Sequence, residues 1–279
     1  MLRVHFTAQD LARTTVAEGA DPLWEAVLSL HVLRAGRAEP ALATWRRHAV
    51  RHGPGPLRTL LPLVPQHGYF PDFLTPPAAT SGVEPGLEAV MSTPRARLRA
   101  ELAVLAGQRV LPGWTRDIAS GEPAALRQLA RSLRTYHHHA IAPAWPVIAE
   151  RVGADRALRR HALGEAGAEA LLRTFGPTMR WRSPVLEVDY PVERELRLEG
   201  RGLVFVPSYF CRDDPVALAD DALRPVLVYP AGAPGNGEGP RLRVYGSEAL
   251  RDVPALLGGR AGARTADLCR RRPGVRSGA

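Results

Sequence analysis

Apolar positions follow two regimes along this chain. At the start, Leu2, Val4 and Phe6 alternate with Arg3, His5 and Thr7. This period of two predicts a short strand with one buried face. Thr7 and Asp10 then stand three apart, as in a capping box, and predict a short helix to about Thr15. Asp21 and Pro22 open the next helix as N-cap and first-turn proline. Leu23, Trp24, Val27, Leu28 and His31 follow at helical spacing and predict an amphipathic element that buries Trp24. A third helix spans 40–52 with Leu42 and Trp45, and Gly53-Pro54-Gly55-Pro56 is expected to end it. Residues 57–77 read as an irregular, proline-punctuated segment anchored by Tyr69, Phe70 and Phe73. Helices are expected over 85–92, 94–106, 123–140, 143–152 and 156–175, before Gly176-Pro177 stops the helical half.

The second regime occupies 184–231. Val185, Leu186, Val188 and Tyr190 begin a β-type run, and Leu196 and Leu198 alternate with Glu195, Arg197 and Glu199. Gly200-Arg201-Gly202 supplies a turn. Leu203 to Val206 is apolar throughout, as in a strand buried on both faces, and 225–229 is a further strand. A glycine-rich loop over 232–240, a fourth strand at 241–245 and a helix at 248–257 capped by Ser247 complete the pattern. The fold class expected is therefore α+β: a mainly helical N-terminal domain with a small antiparallel sheet at about 184–245.

Charge changes the picture only at the C-terminus. All 37 basic residues are arginine, which fits the codon bias of a GC-rich genome, and the net charge is +9. Residues 258–279 hold six Arg against one Asp, so more than half of that charge sits in a Gly/Ala/Arg/Pro tail. This tail lacks the large aliphatics of a packed domain and is expected to be disordered. The two cysteines, Cys211 and Cys269, do not make a disulfide framework. No apolar run reaches the roughly 20 residues of a membrane span and no signal-peptide core appears, so a cytoplasmic protein without membrane partners is expected.

Candidate chemistry is sparse. His137, His138 and His139 are consecutive, and helical neighbours point about 100° apart, so they do not converge on one metal from a regular helix. The loop Gly235-Asn236-Gly237-Glu238-Gly239 lacks the GK[ST] and the following helix of a phosphate loop. Asp213-Asp214 and Asp220-Asp221 are paired carboxylates whose commoner role is turn formation. Cys211 is expected to be a buried, inert thiol. No nucleophile elbow or H-E-x-x-H is present. An enzyme is therefore not expected, and no catalytic, cofactor-binding or metal-binding residue is assigned. The aromatics Trp24, Trp45, Tyr69, Phe70, Phe73, Trp114, Tyr136, Trp145 and Trp181 are either core or the walls of a cavity for a small apolar molecule.

Several pieces, taken in order, carry a resemblance: LRVHFTAQDLART, ADPLWEAVLSLHVLR, AIAPAWPVIAERVGADRALR, RWRSPVLEVDYPVERELRLEGRGLVFVPSYF and RPVLVYPA. Over about residues 1–257 the chain resembles actinobacterial winged-helix regulators of the ArsR type. The resemblance implies an uncharacterised regulatory or dimerisation domain over 1–246, a homodimer and DNA as a partner, and the aromatics add a small apolar effector as a candidate ligand. It also places the first helix of a winged helix-turn-helix at 247–257. From Gly258 the chain departs from that pattern, and its tail resembles a GC-rich gene read out of frame. The expectation is a transcriptional regulator with a truncated DNA-binding part and no assignable DNA-contacting residue. The alternative is a ligand-binding or dimerisation module that acts through protein partners without touching DNA.

Overall fold

The computed structural model describes residues 1–34, 42–212, 214–220 and 222–232. The chain divides into two units, Met1–Gly246 and Ser247–Ala279. The second lies wholly outside the described residues. So do most of the expected glycine-rich loop, the strand at 241–245, the helix at 248–257, the basic tail and Cys269.

The described part is α+β, with a helical half followed by strands. Strand β1 (Leu2–His5) leads into α1 (Ala8–Arg13), whose capping box forms as the spacing predicts. The Asp10 amide donates to Thr7 Oγ1 at 3.2 Å, and Asp10 Oδ2 accepts from the Thr7 amide at 2.8 Å. A two-residue strand β2 (Thr15–Val16) precedes α2 (Pro22–Arg34). Asp21 Oδ1 accepts the amides of Leu23 and Trp24 at 2.9 and 3.0 Å, which satisfies the orphan donors of the first turn. The structure corrects the amphipathic reading of α2. Positions 22–30 are all buried, Glu25 and Ser29 included, because this helix is apolar on nearly every face and runs through the interior.

Helix α3 (Ala43–His52) follows, with Trp45 fully buried. Gly53-Pro54-Gly55-Pro56 does not simply end it. Pro54 sits in the first turn of α4 (Pro54–Leu60), where a missing N–H costs nothing. Short 3-10 turns at Asp72–Leu74 and Pro77–Ser81 lead to α5 (Val83–Met91), α6 (Arg95–Gln108), α7 (Thr115–Ala119) and α8 (Pro123–Tyr136). The expected helix to 140 changes character at His137–Ile141, which is a π-helical turn, and a 3-10 turn (Ala142–Ala144) completes the bend. Pro143 lacks the N–H that would bond the His139 carbonyl in a regular α-helix. Trp45 Nε1 donates to the neighbouring Ala140 carbonyl at 2.7 Å. Helix α9 (Trp145–Arg173) continues through Gly153, where two helices were expected, and breaks at Ala166 and Gly167.

The strands form two mixed sheets, not one antiparallel sheet. The first has the order β3 (Met179–Arg182), β4 (Val185–Val188), β1, β5 (Arg194–Arg197). Leu2 faces Val188 in antiparallel register and Arg194 in parallel register. The second has the order β2, β6 (Val204–Ser208), β8 (Val226–Pro230), β7 (Val216–Ala217). The run Leu203 to Val206 therefore belongs to a central strand, as its apolar pattern predicts. Its turn, Gly200-Arg201-Gly202, carries the chain from the first sheet to the second and makes no hairpin. Leu2, Val4, Phe175, Leu186, Phe205 and Tyr229 pack into one core beneath both sheets. Each fully buried side chain of this kind contributes roughly 1.5–3 kcal/mol of hydrophobic stabilisation.

Candidate ligand-binding cleft

Four carboxylates of the helical half bind the segment 202–232 through hydrogen bonds, and these contacts shape the candidate site. Asp10 Oδ1 accepts the Gly202 amide at 3.0 Å. Glu25 Oε1 accepts the Tyr209 amide at 2.8 Å, while its Oε2 accepts the Phe210 amide and the Ser208 hydroxyl, both at 3.0 Å. Asp72 Oδ2 accepts the amides of Ala219 and Asp220 at 2.9 and 2.8 Å. Asp155 accepts the Tyr229 hydroxyl at 2.5 Å, the Arg159 guanidinium at 3.2 Å and the Gly232 amide at 3.4 Å. Buried polar groups of a loop need such partners.

Burial sets the electrostatics of these groups. Glu25 is fully enclosed, which pushes its carboxyl up to about 7 against the opposing pull of its backbone amide donors. Asp21 and Asp72 are each raised to about 6, again chiefly by burial, with the Glu101 charge adding to the effect at Asp72. At Asp10 burial also acts upward, but the Thr7 hydroxyl and the amides of Gly202, Thr7 and Gly200 outweigh it and hold the carboxyl low. Glu101 is paired with Arg97 at 2.5 Å and accepts the Phe73 amide at 2.8 Å, which fixes the backbone beside Asp72.

A cleft of about 540 Å³ opens where these anchored segments meet α2. Leu28, His31 and Val32 come from α2. Gln66 to Phe70 and Asp72 form a second wall. Tyr190 to Val192 lie on the connection into β5, Arg194 opens that strand, and Phe210 to Arg212, Asp214 to Ala217 and Ala219 supply the last side. The lining is mainly apolar with a few polar groups, which is the usual composition of a small-molecule pocket. Tyr69 and Phe70 are the two aromatics of the expected set that reach it. Phe70 stacks edge-on to Trp24 at 6.1 Å and lies 5.6 Å from the His31 ring. Arg194 donates to the carbonyls of Leu218 and Ala219 at 2.8 and 3.3 Å and so ties β5 to the loop that closes the cleft. A second groove of about 580 Å³ lies on the helical surface between α4, α7 and α8, with Trp114 and Leu129 in its wall. It draws on fewer elements and has little polar convergence.

The other candidates take bland positions. The three consecutive histidines do not converge on one point: His137 lies against Trp145 at 6.0 Å, His139 faces His52 at 6.4 Å, and the exposed His138 ring lies 5.0 Å from that of His139. Among the described residues no three His, Cys, Asp or Glu side chains are placed to hold a metal ion. Asp220 serves turn geometry, accepting the Ala222 amide at 2.9 Å. Asp214 lines the cleft, while Asp213, Asp221 and the Gly235–Gly239 loop lie outside the described residues. Cys211 is buried, as expected, with its thiol 3.4 Å from the Asp214 carbonyl. Trp45, Phe73 and Tyr136 are core. The sequence reading missed Glu25, His31 and Phe210. A carboxylate inside an apolar helical run is the signal by which Glu25 stands out. Among the described residues no helix is long and apolar enough to cross a membrane. Comparison with protein-family models, with curated proteins and with solved structures finds no match, so the cleft is interpreted from its own geometry.

Proposed function

We propose that residues 1–232 form the effector-binding part of a transcriptional regulator of the ArsR-like class. The cleft carries the ligand-binding half of this reading: it is concave, mainly apolar and held open by loops whose backbone is anchored at Glu25 and Asp72. The order of the resembling segments along the chain supports the regulatory half, with DNA as the partner and a homodimer as the working form. The second reading is a ligand-binding module that acts through protein partners alone. It is favoured by the same cleft, whose lining is drawn from 28–219 and needs no DNA-binding unit.

The test uses the full chain. Nile red is expected to gain fluorescence on binding, and Val32→Trp, which fills the cleft from α2, is expected to abolish the gain while leaving the circular dichroism intact. Equal enhancement in both proteins sinks the effector-binding reading. A mobility shift with the DNA upstream of the gene separates the two readings. Retention that competitor DNA of scrambled sequence does not remove supports a regulator, and ligand binding without retention supports the partner-only module.

A further inference from the structure

Among the described residues, His31 is the cleft-lining residue with a buried ring nitrogen that has no hydrogen-bond partner. Its Nδ1 lies 3.1 Å from the Gln66 carbonyl oxygen. A carbonyl only accepts, so Nδ1 carries the hydrogen and donates. Burial and the nearby Arg34 charge disfavour protonation of the ring, which is therefore neutral, with its lone pair on Nε2. That Nε2 is buried and has no hydrogen-bond partner among the described residues. The ring itself lines the cleft, between Leu28 and Val32 of α2 and beside Phe70. A buried acceptor left without a donor is costly, and one that borders a cleft is accounted for if a bound group completes its bonding.

We infer that the cleft takes a hydrophobic small molecule bearing a hydroxyl or comparable hydrogen-bond donor, and that Nε2 of His31 receives that donor. This rests on the effector-binding reading above. The Gln66 carbonyl fixes the tautomer, so the site selects donors and discriminates against isosteres that lack one. Because that nitrogen is buried, binding requires a shift of the cleft wall of the side-chain kind common on ligand binding. The arginines of the cleft suggest the competing class, an anionic ligand, and the test separates the two.

Naphthalene, 1-naphthol and 1-naphthoate are titrated into the full chain, its His31→Leu and His31→Gln variants, and Val32→Trp. The wild-type protein is expected to prefer 1-naphthol over naphthalene by about tenfold, one good hydrogen bond's worth. His31→Leu is expected to remove the preference, and His31→Gln, which keeps an acceptor oxygen, to restore part of it. Equal binding of 1-naphthol and naphthalene in all His31 forms, with both lost in Val32→Trp, overturns the His31 assignment and leaves the cleft reading standing. So does tighter binding of 1-naphthoate than of 1-naphthol. Binding that survives Val32→Trp, or no binding of any probe, overturns the cleft reading and this inference together.

Discussion

Glu25 Oε2 stands 3.0 Å from the hydroxyl of Ser208, a residue 183 positions later in the chain. The same carboxylate caps the amides of Tyr209 and Phe210, so one buried side chain of α2 fixes the exit of β6 and the start of the cleft's last wall. Replacing it removes the partner of three buried donors. Glu25→Ala is expected to lower the unfolding free energy by about 3–4 kcal/mol, measured by urea denaturation. A loss under about 1 kcal/mol would mean that water replaces the carboxylate freely.

Stability is expected to fall as pH rises from about 5 to 7.5 through the raised carboxyls. Asp21, Glu25 and Asp72 titrate near 6, 7 and 6 in the folded chain, above the ordinary carboxylate range. Between those ranges the folded state holds more protons than the unfolded chain. The contribution is thus complete below about pH 4 and is lost as pH climbs through 6–7. The buried, lowered histidines His31 and His137 act in the opposite direction, so the clean readout is a comparison. The stability of the wild type minus that of Glu25→Gln should shrink with rising pH, by at most about 1.4 kcal/mol per unit. A difference that grows with pH would show that the amide donors outweigh burial at Glu25.

Gly202 has φ +71°, and a Cβ there would stand 2.5 Å from the Arg13 carbonyl oxygen. Gly202→Ala is expected to cost about 2–3 kcal/mol. Gly153 lies within α9, and a methyl group added there would meet nothing within 4 Å, so Gly153→Ala should add about 0.5–1 kcal/mol. Thermal melts of the two variants should move in opposite directions, and melts that move together would refute the assignment of the turn.

Tyr229→Phe deletes the hydroxyl that Asp155 accepts beside Arg159. The expected loss is about 1.5–3 kcal/mol, as for a hydrogen bond to a charged group. In a double-mutant cycle with Asp155→Asn the two changes should couple by about 1 kcal/mol, and strict additivity would show that the pair is adjacent without being linked.

Much of the local structure is legible in the residues, and the long-range structure is not. The capping box of Thr7 and Asp10 and the central strand at Leu203 to Val206 follow from chemistry within a few positions, and both form. Strand partners do not follow. The alternation at Leu2 and Val4 says which face is buried but not that Val188 and Arg194 lie on either side. The turn at Gly200 to Gly202 is visible in the residues, but nothing local records that the chain is changing sheets there. Of the candidate site, Tyr69 and Phe70 are visible as aromatics in a proline-rich segment. His31 is not, because helical spacing marks it as one more inward position, and its role depends on a carbonyl 35 residues away.

The placement of β1 has a consequence for biosynthesis. Leu2–His5 is synthesised well before both strands that flank it, β4 and β5, which belong to residues 185–197. Asp10 and Glu25 likewise wait for Gly202 and Tyr209. The helical half is therefore translated before any sheet can close around its first strand, and the edges of β1 stay unsatisfied until the last quarter of the domain emerges. Closure across such separations is slow, so chaperone occupancy of the nascent chain is expected to include residues 1–10 and to end only after residue 210 has cleared the exit tunnel.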